Sequence, residues 1–192
     1  MSSKPGRARP MAPEARRESI LDAATPLIFE HGYAVTTRQI ADAAGIAEGT
    51  IFRAFEDKDA LLDALVERLL RPEPTLAALE TIDLGLPLED RLAQIVEILR
   101  ARVADVTALM RAIGPRHHGR RPHRAPLSEV TDSVTRIVAS DAEQLRVPVA
   151  TAAEYVRILV VGTSVPFLAA GEAPATRDLV DFILRGIAQE RD

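Results

Sequence analysis

The chain has 192 residues, of which 47% are hydrophobic, and carries a formal net charge of −4. That supply of apolar side chains is enough to build a core and excludes a disordered chain. With no cysteine, disulfides, thiolate metal sites and cysteine nucleophiles are excluded, and with a negative total any affinity for nucleic acid must come from how the charge is distributed.

Met1 to Pro13 is rich in Pro, Gly, Ser and Arg and reads as a flexible basic arm, residues 1–13. Across the first 17 residues Lys4, Arg7, Arg9, Arg16 and Arg17 are opposed only by Glu14, so the segment from Lys4 to Arg17 can act as a solubilising tail or reach toward DNA. Ile20, Leu21, Ala24, Leu27 and Ile28 then fall at helical spacing and predict a first helix from about Pro13 to His31, stopped by Gly32. Pro26 removes one donor inside it and is expected to bend it.

Thr36 with Gln39 fits a capping box and opens a second helix that buries Ile40, Ala41 and Ala44 and ends at Gly45. A third helix of about two turns runs from Glu48 to Phe55. Asp57 is placed to cap a fourth, whose apolar stripe is Leu61, Leu62, Leu65, Val66, Leu69 and Leu70. Pro72 and Pro74 are expected to end it and mark a domain boundary.

Beyond the boundary the pattern stays helical. Leu88 to Ile113 carries Leu92, Ile95, Val96, Leu99 and Val103 at three-and-four spacing. A polar, basic loop follows over 114–126. Leu127 to Leu145 predicts another helix, Val149 to Ala170 an apolar one kinked by Pro166 near Gly162, and Thr176 to Glu190 the last. No alternating strand pattern occurs. The fold class is therefore all-α: an N-terminal three-helix domain over residues 14–58, a linking helix at 59–72, and a larger helical domain over 73–192.

The informative piece is the helix, tight turn and short helix between Thr36 and Phe55. A helix fits the major groove of duplex DNA, where base edges present a readable pattern of donors and acceptors. The preceding helix braces it and touches phosphates. This arrangement needs a small residue at the turn, small or hydroxyl side chains near the start of the reading helix, and a nearby cation; Gly45, Thr50 and Lys58 meet those needs.

At these residues the chain resembles a known family. Thr36-Thr37-Arg38-Gln39-Ile40-Ala41, Ala44-Gly45-Ile46, Gly49-Thr50-Ile51-Phe52, Phe55 and Lys58-Asp59-Ala60-Leu61-Leu62 are similar in order and spacing to the signature of the TetR family of bacterial transcriptional regulators. Phe29-Glu30-His31-Gly32-Tyr33 is similar to the end of that family's first helix. The resemblance covers about Arg16 to Leu70. It implies a helix-turn-helix DNA-binding domain followed by a ligand-binding and dimerisation domain. It also implies a homodimer through the last two helices, a pseudo-palindromic operator in double-stranded DNA, and repression relieved by a small-molecule effector. Carried over by position, Thr37 and Lys58 would contact phosphates, while Arg38, Thr50 and Arg53 would lie at or near base edges. Gly49 would permit close approach. Thr36 as a cap, Glu48 at the start of the reading helix and Phe52 on it complete the candidate DNA-binding set. The family usually has Ser or Thr where Ala47 stands, commonly Tyr at Phe52, and often Tyr or His at Ala54, so phosphate anchoring is expected to be weaker at these points. The dimer residues expected from the last two helices are Leu159, Thr163, Leu179, Phe182 and Ile183.

Leu99, Val103, Met110, Tyr155 and Phe167 are candidates to line an apolar effector pocket, although each alone also reads as core. His117, His118 and His123 lie in an arginine-rich loop without nearby carboxylates, which disfavours a cation, so no metal or cofactor is expected. The basic loop itself favours an anionic or polar ligand. The chain has no serine in a nucleophile-elbow pattern and no HExxH pair, so it is not expected to be an enzyme. A helical interaction module that has lost DNA binding is the remaining alternative, motivated by Ala47, Phe52 and Ala54. No stretch of about 18 apolar residues lacks charge, and the basic start lacks the apolar run of a secretory signal; a cytoplasmic protein with no membrane span is the expectation.

Overall fold

The computed structural model describes residues 12–114, 127–165 and 173–187, and among them the chain is all-helical with no strand. It divides into two compact units, Met1–Val66 with Leu109–Arg121, and Glu67–Ala108 with Pro122–Asp192. The division falls within the fourth and sixth helices. The basic arm up to Met11, His117, His118, His123, Pro166, Phe167 and most of the basic loop lie outside the described residues.

In the first unit, α1 (Pro13–His31) starts with proline in its first turn, where a missing N–H costs nothing. It buries Ile20, Leu21, Ala24 and Ile28 and continues through Pro26. Gly32 follows at φ 59° and ψ −145°, a conformation open to glycine and closed to side chains. A Cβ there would lie 2.5 Å from the backbone oxygen of Ala112, so both the backbone angle and the close approach require glycine. Next come α2 (Thr37–Ala44), α3 (Glu48–Ala54) and α4 (Lys58–Leu70), whose early turns bury Leu61, Leu62, Leu65 and Val66.

The second unit contains α5 (Glu73–Glu80), α6 (Leu88–Ile113), α7 (Leu127–Val138), α8 (Val149–Ser164) and α9 (Thr176–Ile187). The last turn of α6 belongs to the first unit. α7 packs against α5 and α8, and α9 against α8. Leu92, Ile95 and Val96 of α6, Val134 of α7, and Val156 and Val160 of α8 close the core.

Three elements differ from the expectation. The helix expected over Val149 to Ala170 ends at Ser164, with Val165, the residue before Pro166, in an extended conformation. Pro72 and Pro74 were expected only to stop a helix, but they also start one: Pro72 caps α5 and Pro74 lies in its first turn, where proline's fixed φ suits a helix start. The helix expected over Leu127 to Leu145 ends at Val138 and continues as a tighter turn over Ala139–Gln144. The cause is Arg91. Its side chain is 2% exposed and sits beneath this turn, where it donates to the carbonyl of Ile137 (2.6 Å), to Ser140 Oγ (2.6 Å) and to the Asp141 carboxylate. A buried guanidinium needs acceptors, and α7 supplies them by ending early.

Candidate nucleic-acid interface

α2 is set by its ends. The Gln39 N–H donates to Thr36 Oγ1 (3.2 Å) and the Thr36 N–H donates to Gln39 Oε1 (2.8 Å), completing the expected capping box. At the other end Gly45 adopts the left-handed conformation at φ 65° and turns the chain toward α3. Ile40 and Ala41 anchor α2 from below while Arg38 stays exposed.

α3 presents two faces. Ile51 and the following Phe55, four residues apart, are buried. Gly49, Phe52 and Arg53 share the opposite face and are exposed, with Thr50 half-buried beside them. Phe52 is 50% exposed, an unusual position for a large aromatic unless that face meets a partner. Ala47 precedes the helix without a side-chain cap, as its identity requires.

Three polar contacts fix α3 against the rest of the unit. The Thr37 hydroxyl donates to Glu48 Oε1 (2.5 Å), tying the first turn of α2 to the first turn of α3. Arg17 of α1 donates to the carbonyl of Ala54 at the end of α3, and its guanidinium lies 4.2 Å from the centre of the Phe55 ring. A cation at a helix C-terminus satisfies an orphan carbonyl and complements the helix dipole. The Asp57 carboxylate accepts from the Ala60 N–H (2.7 Å) and starts α4 as expected.

Lys58 faces inward. Its ammonium donates to the carbonyl of Tyr33 and lies 4.1 Å from the centre of that ring. Burial pushes its pKa below the ordinary lysine value, with Asp59 acting the other way. The Tyr33 hydroxyl donates to Asp59 Oδ1 (3.1 Å), and that bond, ahead of burial, raises the phenol's pKa. To touch a phosphate, Lys58 has to leave Tyr33.

Of the candidate DNA-binding residues, Arg38, Gly49, Phe52 and Arg53 are exposed, as are Thr36 and Glu48, while Thr37 and Glu48 are bonded to each other. Arg17 was grouped with the basic arm, but it is part of α1 and holds α3. Its spacing to Ile20, Leu21 and Ala24, on the buried stripe, is the signal that separates it from the arm.

The second unit contains an apolar cavity of about 240 Å³. Leu99 and Val103 line it, together with Val106, Val130 and Val161. Met110 and Tyr155 do not line it. Met110 is exposed near the end of α6, in the first unit, and Tyr155 is exposed on α8. The α8 sequence is apolar on most sides, so periodicity did not show which face turned inward; Ala152, Val156 and Val160 did. Among the expected dimer residues, Leu179 (3% exposed) and Ile183 (1% exposed) belong to the core of the chain itself and are corrected from surface to core. Phe182, on the other side of α9, is 63% exposed. Tyr155 and Ile158 of α8 are exposed as well, and Leu159 and Thr163 are half-buried. Among the described residues no cluster of three or more metal-ligating side chains occurs, and no helix is long and apolar enough to cross a membrane.

Residues 20–65 match the family model for bacterial regulatory proteins of the tetR family. The uncharacterised HTH-type transcriptional regulator YvkB of Bacillus subtilis is 46% identical over 59 residues, which is 30% of each chain. The HTH-type transcriptional repressor KstR2 of Rhodococcus jostii is 41% identical over 56 residues, 29% of this chain and 28% of that protein. The similarity thus spans less than a third of either relative's length. Among solved structures, a tetR-family transcriptional regulator from Streptomyces coelicolor superposes with a TM-score of 0.58 at 18% identity, covering 91% of this chain and 81% of that one. A bacterial regulatory protein in the tetR family from Rhodococcus RHA1 gives 0.52 at 22%, covering 92% and 98%. The superantigen PfiT gives 0.60 at 20%, covering 94% and 100%. At these identities the structural likeness establishes the fold and leaves the activity to the site.

Proposed function

We propose that this chain, whose residues 20–65 match the family model for bacterial regulatory proteins of the tetR family, is a member of that family and a sequence-specific DNA-binding transcription regulator. The observation that carries the reading is the outward face of α3. Gly49, Phe52 and Arg53 are turned to solvent on a helix whose other side is locked into the core by Ile51. Such a helix can enter a major groove without rearranging the domain, with Arg38 at its flank.

The fuller reading is a homodimer that represses transcription and is released by a small molecule in the apolar cavity. The exposed apolar side chains of Tyr155 and Ile158 on α8 and of Phe182 on α9 support pairing through those helices, since large apolar groups are costly to leave in water. Two copies would address a pseudo-palindromic site in successive major grooves.

A mobility-shift titration against the promoter of the chain's own gene tests this. Wild type should shift that fragment well below the concentration needed for an unrelated duplex. Arg38→Ala should weaken specific binding by about 1–3 kcal/mol. Lys58→Ala should weaken all duplexes alike and lower the salt slope by roughly one unit, provided Lys58 leaves Tyr33 on binding. Equal affinity for promoter and unrelated DNA sinks the reading. It would then favour an interaction module without DNA binding, to which Ala47, Phe52 and Ala54 already point.

A further inference from the structure

The cavity of the second unit is mostly apolar, and the polar residues of its lining are Thr75, Arg102, Thr107 and Arg157. Two arginines reach the lining, Arg102 from α6 and Arg157 from α8. Arg157 is neutralised: Glu154, one turn earlier, accepts from its Nε (3.2 Å) and from its Nη2. Arg102 is not. Its Nη2 donates to the backbone carbonyl of Arg71 (2.7 Å), a neutral acceptor lying between Leu70 and Pro72, both of which line the cavity. Asp105 and Glu73 act on it through space, and among the described residues no carboxylate forms an ion pair with it. Burial pushes the Arg102 guanidinium below its ordinary pKa. An arginine keeps its proton at neutral pH even so, and the charge remains on the wall of an apolar space.

A neutral apolar guest would fill the volume and offer the remaining N–H donors of the partly exposed Arg102 no acceptor beyond solvent. An amine would add like charge. A carboxylate accepts from a guanidinium through two parallel bonds and cancels the charge.

We propose that this cavity takes a small amphipathic monocarboxylate, its apolar body among Leu99, Val103, Val106 and Val161 and its carboxylate on Arg102. The inference rests on reading this unit as the sensing domain and names the chemical class it senses.

Calorimetric titration of the full chain with two acid and alcohol pairs of different shape, octanoate with octanol and cinnamate with cinnamyl alcohol, tests it. At least one acid should bind about tenfold or more tightly than its alcohol, as expected for one charge-assisted pair. Octylamine should bind more weakly than octanol. Arg102→Leu should remove the preference for acid while keeping the alcohol, Arg102→Lys should restore part of it, and Arg157→Leu should leave it in place. The proposal is overturned if both alcohols bind wild type as tightly as their acids, if Arg102→Leu holds the acids as well as wild type does, or if no probe binds. The mobility shift separates this from the regulator reading. A chain that prefers acids but shifts no duplex overturns that reading and supports this one, and a chain that shifts its promoter without preferring acids does the reverse.

Discussion

In the first unit the short helices α2 and α3 are held by their ends, and in the second α6 to α9 are held by their sides. In the first, Thr36 and Gln39 start α2, left-handed Gly45 stops it, Arg17 closes α3 at Ala54, and Asp57 opens α4. Helices of two turns bury too little apolar surface to fix their own orientation, so each joint needs a particular side chain. In the second unit, apolar side chains from α5 to α9 close one core, and α6 alone spans Leu88–Ile113. Such a core accepts many substitutions that keep volume and pattern. The contrast explains why likeness to relatives is read residue by residue in the first unit and only as fold in the second. It also fits the proposed division of labour. A reading helix has to be presented at a fixed angle, whereas a sensing domain can hold an open cavity between side chains.

The contrast makes predictions that can break it. The largest effect is expected where the second unit departs from its apolar rule. Arg91→Ala removes the partner of Asp141 and the donor to Ser140 and to the carbonyls of Leu86 and Ile137, and should lower the stability of that unit by about 3–5 kcal/mol, as for other broken buried pairs. Amide exchange should show the loss in α5 to α8; a loss below about 1 kcal/mol would mean that the Arg91 cluster is dispensable.

The first unit should respond most at a joint that is both strained and crowded. Gly32→Ala is expected to cost about 2 kcal/mol or more, because the new methyl meets the Ala112 oxygen and the backbone angle resists it. Gly45→Ala, with no atom within 4 Å of the added carbon, should cost only about 1 kcal/mol through its positive φ. Urea midpoints compare the two directly, and equal losses would remove the role given to the contact with α6.

The smallest change should be a gain. Ala47→Ser supplies the cap that α3 lacks and is expected to raise stability by about 0.5–1 kcal/mol. No gain in thermal denaturation would mean that the start of α3 is already satisfied, by the Thr37 to Glu48 bond or by solvent.

Much of the architecture was legible beforehand. The bounds of α1 and α6, the capping box, Gly45 as a stop and Asp57 as a cap follow from local chemistry: helical spacing, side-chain acceptors beside free N–H groups, and glycine where φ is positive. α5 was hidden because proline reads as a breaker on one side and a starter on the other.

The sequence by itself therefore determined the helices and the pattern of residues by which a reading helix is recognised, since both depend on neighbours within a few positions. Only the tertiary structure decided which faces turned inward and which charges found partners. Leu179 and Ile183 went to the core and Phe182 to the surface, Arg17 went to the end of α3, Lys58 to Tyr33, and Arg102 to a cavity wall where no carboxylate among the described residues pairs with it. Those outcomes depend on contacts between residues tens of positions apart, and a periodic pattern contains no record of them.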